Sequence, residues 1–265
     1  MIKIGVPYWY GERPLDKFAE EIAKQNIDFI EISLDYPYPE QLDINEINKI
    51  KGKYGIEISF HGLWSDVSIS HPIKTIANAS MRVIGDQISF AKQVNPIYFI
   101  VHQAIRLPTA MFENVQKKIN ENSIKTTKEI VTMGKDVNLI IENVSSVHFG
   151  NFHDLISMTN DNDVKVCLDV GHVAKYCSRA GLDFKEQFDI SIDKLKDKIV
   201  VVHLHDFISP EKDHVPIGSG ELNIEYILKR IKETSCKYIL LEYHHNFDFN
   251  TYGRDVAKIR KILNS

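Results

Sequence analysis

The stretch CLDVGHVAKYC, residues 167–177, starts with the apolar character of a buried β-strand and then presents Asp169 and His172 without a break. A carboxylate ending an apolar run is costly to desolvate unless something pairs with it, and an imidazole three residues later is placed to share that partner. The pattern is not confined to one place. The run VKVCLDV (164–170) is one of eight short, β-branched runs, the others being MIKIGV (1–6), DFIEISL (28–34), IEISFHG (56–62), IYFIVHQ (97–103), NLIIENV (138–144), IVVVHLHD (199–206) and YILLEYH (238–244).

Between these runs lie stretches whose apolar residues recur every three or four positions, as on a helix with one buried face. They are LDKFAEEIAKQN (15–26), PEQLDINEINKIKGKYG (39–55), TIANASMRVIGDQISFAKQV (75–94), MFENVQKKINENSIKTTKEIVTMGK (111–135) and FHDLISMTN (152–160), then LDFKEQFDISIDKLKDK (182–198), NIEYILKRIKET (223–234) and YGRDVAKIRKILN (252–264). Strands alternating with helices imply parallel βαβ units. Eight such units in this length close most economically into a (β/α)8 TIM barrel, read here as a single domain over residues 1–265. An open doubly wound sheet is the alternative, but the first strand lacks the glycine-rich turn that a dinucleotide site there requires.

Composition narrows the function. With 43% hydrophobic and 26% charged residues the chain has the balance of a soluble globular protein, and a net charge of −4 supplies no overall basic field for nucleic acid. The N-terminal MIKIGVPYWYGERP lacks a cleavable signal layout, and no apolar run approaches the ~20 residues that span a bilayer, so a cytoplasmic location and no membrane partner are expected. Cys167, Cys177 and Cys236 form no CxxC pair and read as ordinary reduced side chains.

In such a barrel the C-terminal strand ends converge on one mouth, where active sites lie. Strand three ends at His61, strand four at His102, strand five at Glu142, strand six at Asp169 with His172, strand seven at His203 and His205, and strand eight at Glu242. Any one of these is ordinarily a satisfied core histidine or a helix cap. Six equivalent strand ends carrying such groups together argue for a shared site. Clustered carboxylates there need a compensating cation, and imidazole plus carboxylate without thiolate suits Zn²⁺, Mn²⁺, Fe²⁺ or Co²⁺. His203 and His205 point the same way, His203 deeper and so the expected ligand, His205 nearer the loop and so the expected substrate contact. The loop EKDHVPIGSGEL (211–222) follows, and its His214 reads as a further ligand or as a solvated loop residue. Trp9 and Trp64 are expected either to wall the pocket or to pack in the core, and Glu31 either to contact substrate or to form a buried ion pair. Lysine-rich helical stretches read as solvated outer faces, and exposed barrel helices are where a homo-oligomer would form.

The segments IIENV, CLDVGH, VVHLHDF, DHVPIGSGEL and LLEYH, in this order, resemble the xylose-isomerase-like barrel superfamily, which contains sugar and sugar-phosphate isomerases and epimerases as well as endonuclease IV. The isomerase and epimerase branch implies one divalent ion (Zn, Mn, Mg or Co) on Glu142, Asp169, His203 and Glu242, with His172 against a small sugar or sugar phosphate. There the two glutamates stand on opposite faces of the substrate carbon and move a proton through an enediolate. The endonuclease IV branch implies up to three zinc ions and cleavage at abasic sites in DNA, with His61, His102, His172 and His214 as added ligands. In one place the chain departs from that branch: Lys212 stands where an aspartate is expected, and Asp213 is one position off.

Overall fold

The computed structural model describes residues 1–9, 14–36, 41–103, 107–161, 164–244 and 248–265. Eight parallel strands close a barrel: β1 (Lys3–Tyr8), β2 (Phe29–Ser33), β3 (Glu57–His61), β4 (Phe99–His102), β5 (Leu139–Glu142), β6 (Lys165–Asp169), β7 (Ile199–Leu204) and, after a two-stranded hairpin of β8 (Asp206–Ile208) and β9 (Lys212–Val215), β10 (Tyr238–Leu241). Around the ring the order is β1-β10-β7-β6-β5-β4-β3-β2, so neighbours in space are neighbours in sequence apart from the hairpin, and the open-sheet alternative is excluded. The helices are α1 (Leu15–Lys24), α2 (Ile44–Tyr54), α3 (Lys74–Lys92), α4 (Glu113–Met133), α5 (Phe152–Asp161), α6 (Val170–Ala180), α7 (Phe184–Leu195), α8 (Ile224–Ile231) and α9 (Phe249–Asn264).

Local chemistry sets the helix ends. Asp43, Asp183, Asn223 and Asp248 each cap a helix N-terminus by accepting a backbone N–H, and Gly55 and Gly181 end α2 and α6 with φ of 65° and 68°. The start of the expected helix 39–55, Pro39 and Glu40, lies outside the described residues. None of the described helices is long and apolar enough to cross a membrane.

Strand periodicity sorts the side chains into two cores. One face of each strand packs outward against the helices, as Ile30, Ile32, Phe60, Val101, Ile141, Leu168, Val202 and Leu241 do. The other face fills the barrel: Phe29, Tyr98, Ile100, Ile140, Cys167, Val201 and Leu240 form a separate buried cluster. Among the described residues the interior is therefore a plug, with the strand-end His, Asp and Glu side chains gathered at its mouth.

Two elements differ from the expectations. Strand six stops at Asp169, and α6 begins at Val170 with no loop between, whereas the pattern suggested a strand to Val170 and no helix before Leu182. Asp169 is itself the cap, its Oδ1 accepting the His172 N–H at 2.6 Å. The segment 211–222 is not simply a loop, because Lys212–Val215 pairs antiparallel with Asp206–Ile208. Asp206 holds the remainder: its carboxylate accepts the N–H groups of Phe207, Gly218, Gly220 and Leu222 at 2.8–3.0 Å. A Cβ on Gly220 would lie 2.3 Å from the Phe207 carbonyl oxygen, so only glycine allows this approach.

Candidate metal centre

Glu142 ends β5 and Glu242 directly follows β10, both as buried carboxylates, 1% and 4% exposed. His203, fully buried, stands between them with Nδ1 3.3 Å from Glu142 Oε2 and 3.1 Å from Glu242 Oε2. Asp169 completes the group. Its ligand-type oxygen and those of Glu142 and Glu242, with a His203 nitrogen, all lie within 4.8 Å of one another. Neither oxygen of Glu142 has a hydrogen-bond partner among the described residues. A buried carboxylate ringed by imidazoles at ion-pair distance but without a hydrogen bond is a fit for a divalent cation, and three carboxylates with one imidazole are a donor set suited to Mn²⁺, Zn²⁺, Mg²⁺ or Co²⁺.

A second group faces the first across Glu142. His61 Nε2 and His102 Nε2 lie 3.4 and 3.3 Å from Glu142 Oε2 and 3.2 Å from each other. The Nδ1 of His61 is 2.8 Å from the Gly62 carbonyl, which can only accept, so Nδ1 carries the hydrogen and Nε2 is left for a ligand role. A third group joins His172, Asp213 and His214.

Charges within the cluster are strongly coupled. Against the cost of burial, His203 and His102 hold the Glu142 carboxyl well below the usual range, and His203 and His214 do the same for Glu242. Burial lowers the His61 imidazole, but Glu142 outweighs it and the value rises to about 9. His214 rises to about 10 in the same way, its burial outweighed by Asp213 and Glu242. Without a metal, protonated histidines are the counter-ions of these carboxylates.

His205, expected to contact substrate, is buried, and Glu31 forms the buried ion pair that is one of its two expected roles. His205 is fully buried, its Nε2 3.1 Å from Asp169 Oδ1 and its Nδ1 accepting the His214 N–H at 2.8 Å. The hairpin covers it, and α6 crosses close by: a Cβ on Gly171 would fall 1.8 Å from the His205 ring, which accounts for the glycine between Asp169 and His172. Glu31 is 2% exposed beneath His203, with Oε2 3.6 Å from Nε2. Among the described residues the cavity is about 990 Å³, and Trp9, Trp64, His61, His102, His172, His214 and Glu242 are in its wall. Glu142 is not itself in the wall, but its Oε2 lies 3.3 Å from Nε2 of His102, which is.

The family-level match covers residues 19–262 and is to the xylose isomerase-like TIM barrel. The chain belongs to this family. Among curated relatives of this barrel, an uncharacterised protein of Methanocaldococcus jannaschii is 24% identical over 258 residues, covering 94% of this chain and 83% of that protein. A solved D-tagatose 3-epimerase-like protein superposes with a TM-score of 0.80 at 23% identity, covering 99% of this chain and 98% of that one. Endonuclease IV from Thermus thermophilus superposes with a TM-score of 0.67 at 17% identity, covering 99% of each. At these identities the superpositions establish a shared xylose isomerase-like fold.

Four features of this barrel's mouth escape a reading of strand ends. Asn143 clamps β5 to β6, its side chain accepting the Asp169 N–H at 2.8 Å and donating to the Asp169 carbonyl at 3.1 Å. Lys175 joins Asp213 across the cavity wall. His244 stacks on His214 with ring centroids 3.8 Å apart, and His214 stacks on His205 at 4.0 Å. His214 holds a left-handed φ of 55° within this stack. Only His244 carries a signal in the sequence, being two residues beyond Glu242 as His205 is beyond His203.

Proposed function

We propose that this protein is a divalent-metal-dependent isomerase or epimerase acting on a small sugar or sugar phosphate. The observation that carries the reading is the pair of buried glutamates, Glu142 and Glu242, sharing His203, with Glu242 in the wall of a cavity of about 990 Å³. A cavity of this size is large enough to hold a monosaccharide. A divalent cation held by Glu142, Asp169, His203 and Glu242 would polarise a carbonyl and the hydroxyl beside it. Glu242, in the cavity wall, takes the proton from the carbon bearing that hydroxyl, and Glu142 returns one from the other side. His172, whose Nδ1 donates to the Asn143 carbonyl, accepts from a substrate hydroxyl through Nε2, while Trp9 and Trp64 offer ring faces to the C–H face of the sugar.

The test is solvent exchange. Protein stripped of metal and reloaded with Mn²⁺, Co²⁺ or Zn²⁺ is incubated in D₂O with a panel of ketoses and their phosphates. Metal-dependent deuterium uptake at the carbon beside the carbonyl is expected, and protein that holds metal yet exchanges none of the panel would overturn the reading. The His61, His102 and Glu142 group favours a second reading, an endonuclease IV-like zinc phosphodiesterase, because a one-ion isomerase has no need of it. That reading expects a duplex bearing an abasic analogue to be cut by the zinc-loaded protein and spared after chelation.

A further inference from the structure

The groups of metal-ligating side chains at the mouth differ in what already neutralises them. Among the described residues, the ion pairs of Glu142, Asp169 and Glu242 are all with histidines, side chains that are themselves metal ligands by type. The group of His172, Asp213 and His214 is different. Lys175 Nζ lies 2.9 Å from Asp213 Oδ2, and both side chains are largely enclosed, 17% and 13% exposed. The other oxygen of Asp213 faces His214 Nδ1 at 3.2 Å. Both carboxylate oxygens are therefore engaged, one of them by a permanent cation.

The backbone makes this pairing local. Because α6 starts at Val170, His172, Lys175 and Arg179 follow one another at helical spacing and all three line the cavity. Arg179 is held in turn by Glu211, with Nη2 2.6 Å from Oε2, and that same oxygen lies 3.8 Å from Lys175 Nζ. Lys175 is thus fixed between two carboxylates of the hairpin. A divalent ion on Asp213 would sit within a few ångströms of the ammonium, where like charges in a partly enclosed site repel strongly.

We infer that the Lys175 ammonium acts as the cation of the His172, Asp213 and His214 group, so that this group takes no metal and loading is confined to the sites sharing Glu142, Asp169 and Glu242. The inference rests on the metal-centre reading above and deepens it. On this wall of the cavity the substrate meets a hydrogen-bond donor where a three-ion centre presents a Lewis acid.

Zinc content after equilibration with excess Zn²⁺ and gel filtration tests it, with far-UV circular dichroism to confirm folding. Lys175→Met is expected to hold about one zinc more than the wild type, Lys175→Arg the same number as the wild type, and Lys175→Met with Asp213→Asn to return to the wild-type number. Lys175→Gln gives the same comparison should the methionine variant fold poorly. A wild type whose zinc content falls by one on Asp213→Asn overturns the inference, as does a folded Lys175→Met protein whose zinc content equals that of a zinc-bearing wild type. The latter leaves the proposed function intact. Wild-type protein holding no zinc overturns both.

Discussion

Two layers of the barrel interior differ by a single step of the strand repeat. Ile140, Cys167, Val201 and Leu240 belong to the plug, and two residues further along the same strands Glu142, Asp169, His203 and Glu242 ring the mouth. Side chains two apart on a strand face the same way, so the backbone treats both layers alike. Only the side chains separate them. The plug is held together by packing, whereas the mouth buries carboxylates whose ion-pair partners among the described residues are histidines. One layer stabilises the fold, and the other keeps unmet charge for chemistry.

The comparison breaks most visibly at Glu242. Replacement by Gln keeps the shape and removes the carboxylate, so turnover should fall by roughly 10³-fold or more, within the range for a lost general acid or base. The fold should persist, because this side chain fills no part of the apolar core. Steady-state kinetics beside a thermal melt separate the two effects, and wild-type turnover in the variant would remove Glu242 from the mechanism.

Two residues back, the expectation inverts. Leu240→Ala leaves a void in the plug and should cost about 2–5 kcal/mol in urea unfolding, with turnover per folded molecule unchanged. If Leu240→Ala kept its stability but lost turnover, the layers would not be separable in the way their chemistry implies.

The same two-residue step explains what can be read from the sequence. Apolar runs ending in His, Asp or Glu reveal the strands and their open end, because strand periodicity places Glu142, Asp169, His203 and Glu242 on the inward face whatever the loops do. The barrel follows from the alternation with helices. What stays hidden depends on abutment and long-range pairing. The apolar positions Val170, Val173, Ala174 and Cys177 of α6 have helical spacing, but strand and helix meet at Asp169 with no turn residue to mark the join. The depth of His205 depends on Gly171 of α6 and on the hairpin that closes over it. Lys175 carries no signal of its own, because only α6 and the hairpin bring it to Asp213.

The subtlest difference between the layers is in protons. In the metal-free chain burial pulls His61 and His214 down, yet the adjacent carboxylates lift them to about 9 and about 10 from 6.5. Both are imidazolium at neutral pH. A folded-state value above the unfolded one gives stability that is complete below about pH 6.5 and fades as pH rises through the folded value. Chelated protein should therefore melt at lower temperature as pH is raised from about 7 to about 10. Metal uptake has the opposite sign, since a coordinating nitrogen must shed its proton: binding at neutral pH should release protons and tighten as pH rises over that same window. Melting curves across pH, and calorimetric zinc titrations in two buffers of different ionisation enthalpy, measure both. Leu240→Ala should keep the wild-type slope and Glu242→Gln flatten it, because Glu242 is one of the carboxylates that hold the proton on His214. A chelated protein whose melting temperature climbs over this range, or zinc binding with no proton release, would show that the mouth layer is neutralised by something other than its histidines.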